Sequence, residues 1–303
     1  MLTRDTETFF ALARTLATDF GPTCAQAVFL VSPLGFALAE QSACDNRYMQ
    51  MDQAVDAAQA LVEHQQLQAA IRRHCPVFCF PGDAETPDAV FPNNVFASAP
   101  GKFIIGHMRH PVRQLESQRA DIRRFFTDIL DRKTVDLSLQ PGICELTGSL
   151  IIDRARGIGF CGLSERCDEA GAAAMHEAFG LRATLMFNLA ASEYHTNVVL
   201  SVLASRAVVI AASGFQSATV VEAIADFYRP AVIQLSEQQK QAFAGNCIAL
   251  SEESVYLSDR ALRSLTHDQR TQLAALGFES VSVPMPMLEK AGGSLRCCVA
   301  ELY

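Results

Sequence analysis

Asn197 to Ala212 reads NVVLSVLASRAVVIAA, two aliphatic runs around the polar break Ala204-Ser205-Arg206. Strand-forming residues at this density, interrupted by a short polar connection, predict a hairpin. A helical pattern follows at 216–227, then a short apolar strand, AVIQL, at 231–235. The unit is strand, turn, strand, helix, strand. Working outward, it recurs. NVFASAPGKFIIGH (94–107) is a hairpin with a Pro-Gly turn, followed by a predicted helix over 112–131. GSLIIDRARGIGFCGLS (148–164) precedes a helix over 168–179 and the strand ATLMF. NCIALSEESVYLS (246–258) precedes a helix that ends at Gly277 and the strand ESVSVPM. LRCCVAELY (295–303) reads as a single strand. Its partners stand at the other end of the sequence: QAVFLVS (26–32), a helix over 51–73, and PVFCF (76–80).

The hairpins begin near 94, 148, 197, 246 and 295, at spacings of 54, 49, 49 and 49. A steady period near 50 marks a closed or stacked repeat array. Completing the fifth unit from both ends suits a ring, because no sheet edge is left open. The expectation is one α/β catalytic domain over 1–303, with 1–25 as an N-terminal helical extension capped near Thr3 or Asp5.

Composition narrows the partners. The 303 residues are 50% hydrophobic and 19% charged, ordinary for a globular chain that buries its own core. Lys and Arg number 25 against 33 acids, a net of -8, which disfavours nucleic acid and anionic membranes. No apolar run approaches the roughly 20 residues of a spanning helix. The start, MLTRDTETFF, carries acids where a leader needs bases, so a cytoplasmic location is expected. Ten cysteines without a CxxC are expected to be reduced thiols. HCPVFC (74–79) reads as a buried strand with small thiols, and His107 with His110 has no further ligand at a useful spacing. No metal site and no cofactor is implied. Whether copies of the chain self-associate is left open.

The period also collects polar chemistry. Asn94, Glu145, His195, Asn246 and Cys297 stand at or just before the first strand of each unit, at spacings of 51, 50, 51 and 51. Five-fold repetition would bring these positions together about one axis.

Six blocks carry a family resemblance: PDAVFPNN (87–94), ELTGSL (145–150), GLSERCD (162–168), EYHTNVV (193–199), FAGN (243–246) and GGSLRCCVAEL (292–302). In order and spacing they resemble the amidinotransferase superfamily, the pentein or guanidino-group-modifying enzymes. Within it the chain looks most like the citrulline-utilisation hydrolase branch, with arginine deiminase and dimethylarginine dimethylaminohydrolase as more distant relatives. The resemblance implies a five-bladed, pseudo-symmetric α/β propeller with an axial site. It places the nucleophile at Cys297, the catalytic histidine at His195 and its acid at Glu145. It also implies that Arg109 and Arg166 hold a substrate α-carboxylate and that Asp88 meets the α-amino group. Residues 33–50 take no part in this assignment.

The residue types suit the chemistry. A ureido or guanidino carbon is a poor electrophile, and a thiolate is a strong nucleophile when a nearby cation such as Arg296 or imidazolium stabilises it. A histidine can protonate the departing amine and then activate water. An acid behind it fixes the ring and stabilises its charged form. Where arginine-using relatives carry acids around the guanidinium, this chain has Asn93, Asn94 and Asn197. An amide donates and accepts without charge, which matches a neutral ureido group. Glu193 or Glu85 could still supply one negative charge. The expected activity is hydrolysis of citrulline or a close analogue to ornithine, CO₂ and ammonia. A guanidino hydrolase, an amidinotransferase and a non-catalytic amino-acid binder are the alternatives.

Overall fold

A computed structural model describes residues 1–303, and its strands form five separate sheets. The first comprises Phe96–Ala99, Lys102–Ile105 and Lys133–Asp136; the second, Leu150–Asp153, Ile158–Leu163 and Ala183–Asn188. The third comprises Leu200–Leu203, Ala207–Ala211 and Val232–Leu235; the fourth, Ile248–Ser251, Ser254–Ser258 and Glu279–Val283. The fifth joins Ala300–Leu302 to Ala27–Val31 and Val77–Phe80. In each sheet the middle strand pairs antiparallel with the first and parallel with the third. A parallel neighbour requires a crossover, and helical segments supply it each time. Among them are Glu169–Phe179, Ala218–Tyr228, His267–Ala275 and Ala57–Ile71.

The repeat register read from the sequence is therefore present, including the fifth sheet closed by Ala300 opposite Phe29. Neighbouring sheets meet along their first strands. Leu200–Leu203 touches both Leu150–Asp153 and Ile248–Ser251, and Ala300–Leu302 touches Phe96–Ala99. Phe29 lies 6.1 Å from Phe96 and 5.4 Å from Phe126, which stacks on Phe103 at 4.0 Å. This buried aromatic group fastens the fifth sheet to the first. No helix is long and apolar enough to cross a membrane.

Four expectations are corrected. The N-terminal helix covers only Thr6–Ala13, with Asp5 accepting from the Thr8 amide at 2.6 Å. It stops short of the helix-breaking run TDFGP (18–22). Nor is this region a mere extension: Leu2–Thr3 pairs with Ala183–Asn188 as a fourth strand, and Phe9, Phe10 and Ala13 are buried. The helix expected over 112–131 is broken at Arg119, whose backbone leaves helical values at ψ 100° while its guanidinium reaches Pro81 O and Asp121. The strand Val77–Phe80 is an edge strand with Cys79 exposed, although Cys75 before it is buried. Finally, Cys297 is not on a strand. Leu295–Cys298 forms one tight 3-10 turn, and the strand begins at Ala300.

Candidate active site

The turn at Leu295–Cys298 has counterparts. Pro92–Asn94, Leu146–Ser149 and Thr196–Val198 are also single helical turns set before the first strand of a sheet. Glu145 and His195 cap two of them at the N-terminal side. The turn lifts its side chains away from the pleat and toward one end of the strands. That is how residues about 50 apart in sequence come to one place.

His195 and Glu145 are fully buried, and His195 Nε2 lies 2.8 Å from Glu145 Oε2. Arg166 Nη1 approaches the same carboxylate oxygen at 3.5 Å. Cys297 is 1% exposed. Its sulfur is met by Asn246 Nδ2 at 3.2 Å and Asn197 Nδ2 at 3.7 Å, so its hydrogen-bond partners are amides. Gly148 keeps the middle of the site open. A Cβ there would lie 2.6 Å from Asn94 Oδ1 and 2.8 Å from His195 Cε1. Only glycine allows both side chains to approach that space.

The expected residues divide into four groups. Cys297, Asn94, Asp88 and Arg166 line one cavity of about 10 Å³. Glu145, His195 and Asn197 stand directly behind it through the contacts above. Asn93 lies beneath, fully buried, its amide bound to Thr147 Oγ1. Arg109 does not reach the cavity, contrary to expectation. Its guanidinium is held outside by Glu165 and lies 3.5 Å from Asp45. The outer carboxylates win because a half-exposed arginine loses less hydration there than in the cavity.

Several side chains were missed. Asn246 follows the period but was not assigned a role. Arg113 lines the cavity, fully buried and paired with Glu116 at 2.7 Å. The segment set aside as uninvolved supplies Ser42, Asp45 and Asn46. Ser42 donates to Asp88 Oδ2 at 2.5 Å, and Asn46 Nδ2 donates to Gly292 O at 3.3 Å. Asp45 takes Arg166 Nη2 at 2.6 Å and His110 Nε2 at 3.0 Å. Nothing in its local sequence marks this segment, since its role depends on where the loop folds back.

Electrostatics separates the two catalytic candidates from their support. Burial pushes the Glu145 carboxyl up, but Arg166 and His195 outweigh it and hold it well below the usual carboxylate range. Burial also dominates at His195 and lowers its pKa against the pull of Glu145. Burial raises the Cys297 thiol, opposed by hydrogen bonds from the amides and by Arg296. At neutral pH the free site therefore holds a thiol and a neutral imidazole. With Nε2–H donating to Glu145, Nδ1 is the bare nitrogen that can take a proton. His195 Nδ1, Asp88 Oδ1, Asn94 Oδ1 and Asn246 Oδ1 are buried with no hydrogen-bond partner. Unpaired buried acceptors cost about 1–3 kcal/mol each, and a cluster of them marks a place where a ligand bearing N–H groups would bind.

A raised thiol pKa has a direct signature. Alkylation of Cys297 by iodoacetamide is expected to accelerate steadily from pH 7 to pH 9, close to tenfold per unit, as the thiolate fraction grows. The rate is followed by mass spectrometry of the labelled peptide. A plateau already reached by pH 7 would show a thiolate in the free protein and refute the burial argument.

The model of the eukaryotic N,N dimethylarginine dimethylhydrolase family matches residues 32–303. The chain belongs to that family. The family sits in the amidinotransferase superfamily and consists of hydrolases acting on C–N bonds other than peptide bonds, so the superfamily read from the six blocks holds, while the family matched is the dimethylarginine one that the blocks place further away than the citrulline-utilisation branch. Uncharacterized protein YkgA of Bacillus subtilis (strain 168) is 23% identical over 243 residues, 79% of either chain. The N-terminal domain of ArgZ, described as an arginine dihydrolase of the ornithine–ammonia cycle in cyanobacteria, superposes with a TM-score of 0.79 at 16% identity, covering 91% of this chain and 97% of that one. A dimethylarginine dimethylaminohydrolase variant, captured as an adduct with S-methyl-L-thiocitrulline, superposes at 0.71 with 19% identity, covering 92% and 100%. At these identities the superpositions establish a shared α/β fold.

Proposed function

We propose that the chain is a cysteine-dependent hydrolase that opens the ureido group of L-citrulline or a close analogue, giving ornithine, CO₂ and ammonia. The observation that carries this reading is that the direct partners of the Cys297 sulfur are uncharged amides: Asn197 and Asn246 touch it, and Asn94 lines the same cavity. Two of the acids that could have compensated a guanidinium are elsewhere. Glu193 is neutralised by Lys240 at 2.6 Å and bound by Tyr48 at 2.7 Å, and Glu85 is exposed. A buried cation without a counter-charge would be disfavoured by several kcal/mol.

In this reading the thiol proton passes to His195, and the thiolate adds to the ureido carbon. The adduct expels an amine that leaves with a proton from His195. Water, deprotonated by the same ring, then releases the remaining acyl group from sulfur. Glu145 steadies the imidazolium. Asp88 Oδ1 meets the α-amino group. The α-carboxylate takes the ground that Asp45 holds between Arg166 and His110. A cavity of about 10 Å³ holds roughly one water, so the segment bearing Ser42, Asp45 and Asn46 must swing aside to admit an amino acid. The cyclic order of the five sheets is read as the five-bladed α/β propeller, one catalytic domain with this site on its axis.

Family membership favours a second reading, hydrolysis of a guanidino group, and the open Asp88 Oδ1 is a carboxylate available to a cation. Ornithine and ammonia release from L-citrulline, L-arginine and Nω,Nω-dimethyl-L-arginine, compared as kcat/KM, separates the two. The ureido reading requires citrulline to lead, and a clear preference for either guanidino compound would replace it. Asn94→Asp is expected to lower kcat/KM for citrulline about 5- to 150-fold, because a carboxylate cannot donate to the ureido oxygen. An unchanged or improved value would remove the asparagines from the argument.

A further inference from the structure

Tyr194, next to His195 in sequence, is buried and lines the same cavity as Cys297 and Arg166. Its side chain meets three parts of the site at once. The ring centre lies 4.5 Å from that of His195. The Arg166 guanidinium stands over the ring at 4.9 Å. The hydroxyl donates to Gly292 O at 2.5 Å. Burial holds the phenol well above its usual range, so the hydroxyl keeps its proton near neutral pH and remains a donor.

Gly292 leads directly to the nucleophile. It has φ 75° and opens the run Gly292-Gly293-Ser294. Ser294 caps the turn that carries Cys297, and its carbonyl accepts from the Cys297 amide at 3.0 Å. Two adjacent glycines leave the backbone wide freedom, so the aim of the sulfur depends on what pins this run from outside. Glu289 does so twice. Its carbonyl accepts from Gly292 N at 3.0 Å, and its carboxylate from Ser294 Oγ at 2.7 Å. Two side chains donate to Gly292 O, Tyr194 and, at 3.3 Å, Asn46. Asn46 belongs to the segment that moves to admit substrate in the reading above. Tyr194 belongs to the loop that bears His195, so its bond does not depend on that movement.

We propose that Tyr194 is a positioning residue: through the Gly292 carbonyl it sets the Cys297 turn against the His195 ring. One side chain thereby fixes the nucleophile and the group that takes its proton relative to each other. The inference rests on the roles given above to Cys297 and His195, but not on which substrate they open.

Tyr194→Phe keeps the ring and removes the bond. Its kcat is expected to fall about 10- to 100-fold, as misalignment of reacting groups costs, with KM within about twofold of the wild type. The pH profile of kcat/KM should keep its shape, because a positioning residue gives the substrate no proton. With Gly292 released, alkylation of Cys297 by iodoacetamide at fixed pH is expected to quicken by at least about threefold, since local opening exposes the thiol. Tyr228→Phe is the control. That hydroxyl is equally buried and donates to Asp153 Oδ2 at 2.7 Å, at the end of the helix Ala218–Tyr228 and away from the cavity. It should change neither kcat nor alkylation. An unchanged kcat or an unchanged alkylation rate in Tyr194→Phe overturns the proposal. So does a rise in KM that accounts for the loss, or an altered pH profile, either of which would put the hydroxyl on the substrate. Equal effects in the two variants would mean a general loss of packing and overturn it as well. If the wild type turns over neither ureido nor guanidino compounds, the functional reading fails by itself, and the alkylation rates of the two variants decide this one.

Discussion

Cys297→Ser is expected to abolish turnover, by at least about 10³-fold, while leaving the fold and its Tm nearly unchanged. The exchange is close to isosteric, and the amides of Asn197 and Asn246 that meet the sulfur can donate to a hydroxyl equally well. A serine oxygen cannot ionise under conditions where even a raised thiol can. Cys298→Ser is the matched control. Cys298 is fully buried in the apolar cluster with Val28, Leu30 and Leu288, where burial holds its thiol well above the usual value. A hydroxyl there should lower Tm by a few degrees and keep most activity. Steady-state ornithine release and a thermal melt on both variants suffice. An active Cys297→Ser protein would end the nucleophile assignment, and a dead but folded Cys298→Ser protein would shift it by one residue.

Glu145→Gln should be the most damaging single change away from sulfur. Removing the charge takes away the stabilisation of imidazolium and sets an NH₂ donor beside Nε2 that can favour the wrong tautomer, and kcat should fall about 10²- to 10⁴-fold, the range found when the acid behind a catalytic histidine is neutralised. It also takes one of two carboxylates from Arg166, buried at 1% exposure. Breaking a buried ion pair from one side costs about 3–5 kcal/mol, so Tm should drop by about 5–15 °C. The pH dependence distinguishes this from a packing defect. Glu145 has a folded-state pKa depressed below its ordinary 4.5. Its stabilisation is therefore complete above that ordinary value and is lost as pH falls from it toward the folded pKa. The Tm gap between wild type and Glu145→Gln should accordingly narrow between pH 5 and pH 3. A gap that stays constant across that range would argue that the carboxylate is not ionised in the fold.

The sequence carried the repeat and the residues on it, for one physical reason. Strand hairpins leave a period-two apolar signature that survives whatever packs on them, and five copies at nearly equal spacing reinforce each other. His195, Glu145, Asn246 and Cys297 were legible because they ride on that period. The failures have equally local causes. The helix over 112–131 was misread because its apolar spacing continues through Arg119, where a backbone change invisible in the pattern breaks it. The strand through Cys297 was misread because a single turn before a strand has the same composition as the strand. Arg113 and Asp45 were missed because burial of a charge depends on its partner, and their partners are supplied by the fold. Arg109 was overread for the same reason: a motif position says which residue is present, but Glu165 and Asp45 decide where its guanidinium lies.

The fifth sheet has a consequence in time. Ala300 pairs with Phe29 and Leu302 with Ala27, contacts between residues some 270 positions apart. The other four hairpins close between near neighbours, such as Leu203 with Ala207. Loop-closure entropy makes a pairing of such separation a late and slow event. Cys297 sits three residues before Ala300, so its turn has no fixed seat until that pairing forms. Four sheets can be in place while the nucleophile still wanders. During refolding from denaturant, most of the secondary structure should return ahead of enzymatic activity, and the two would be reunited only as the last sheet zips shut.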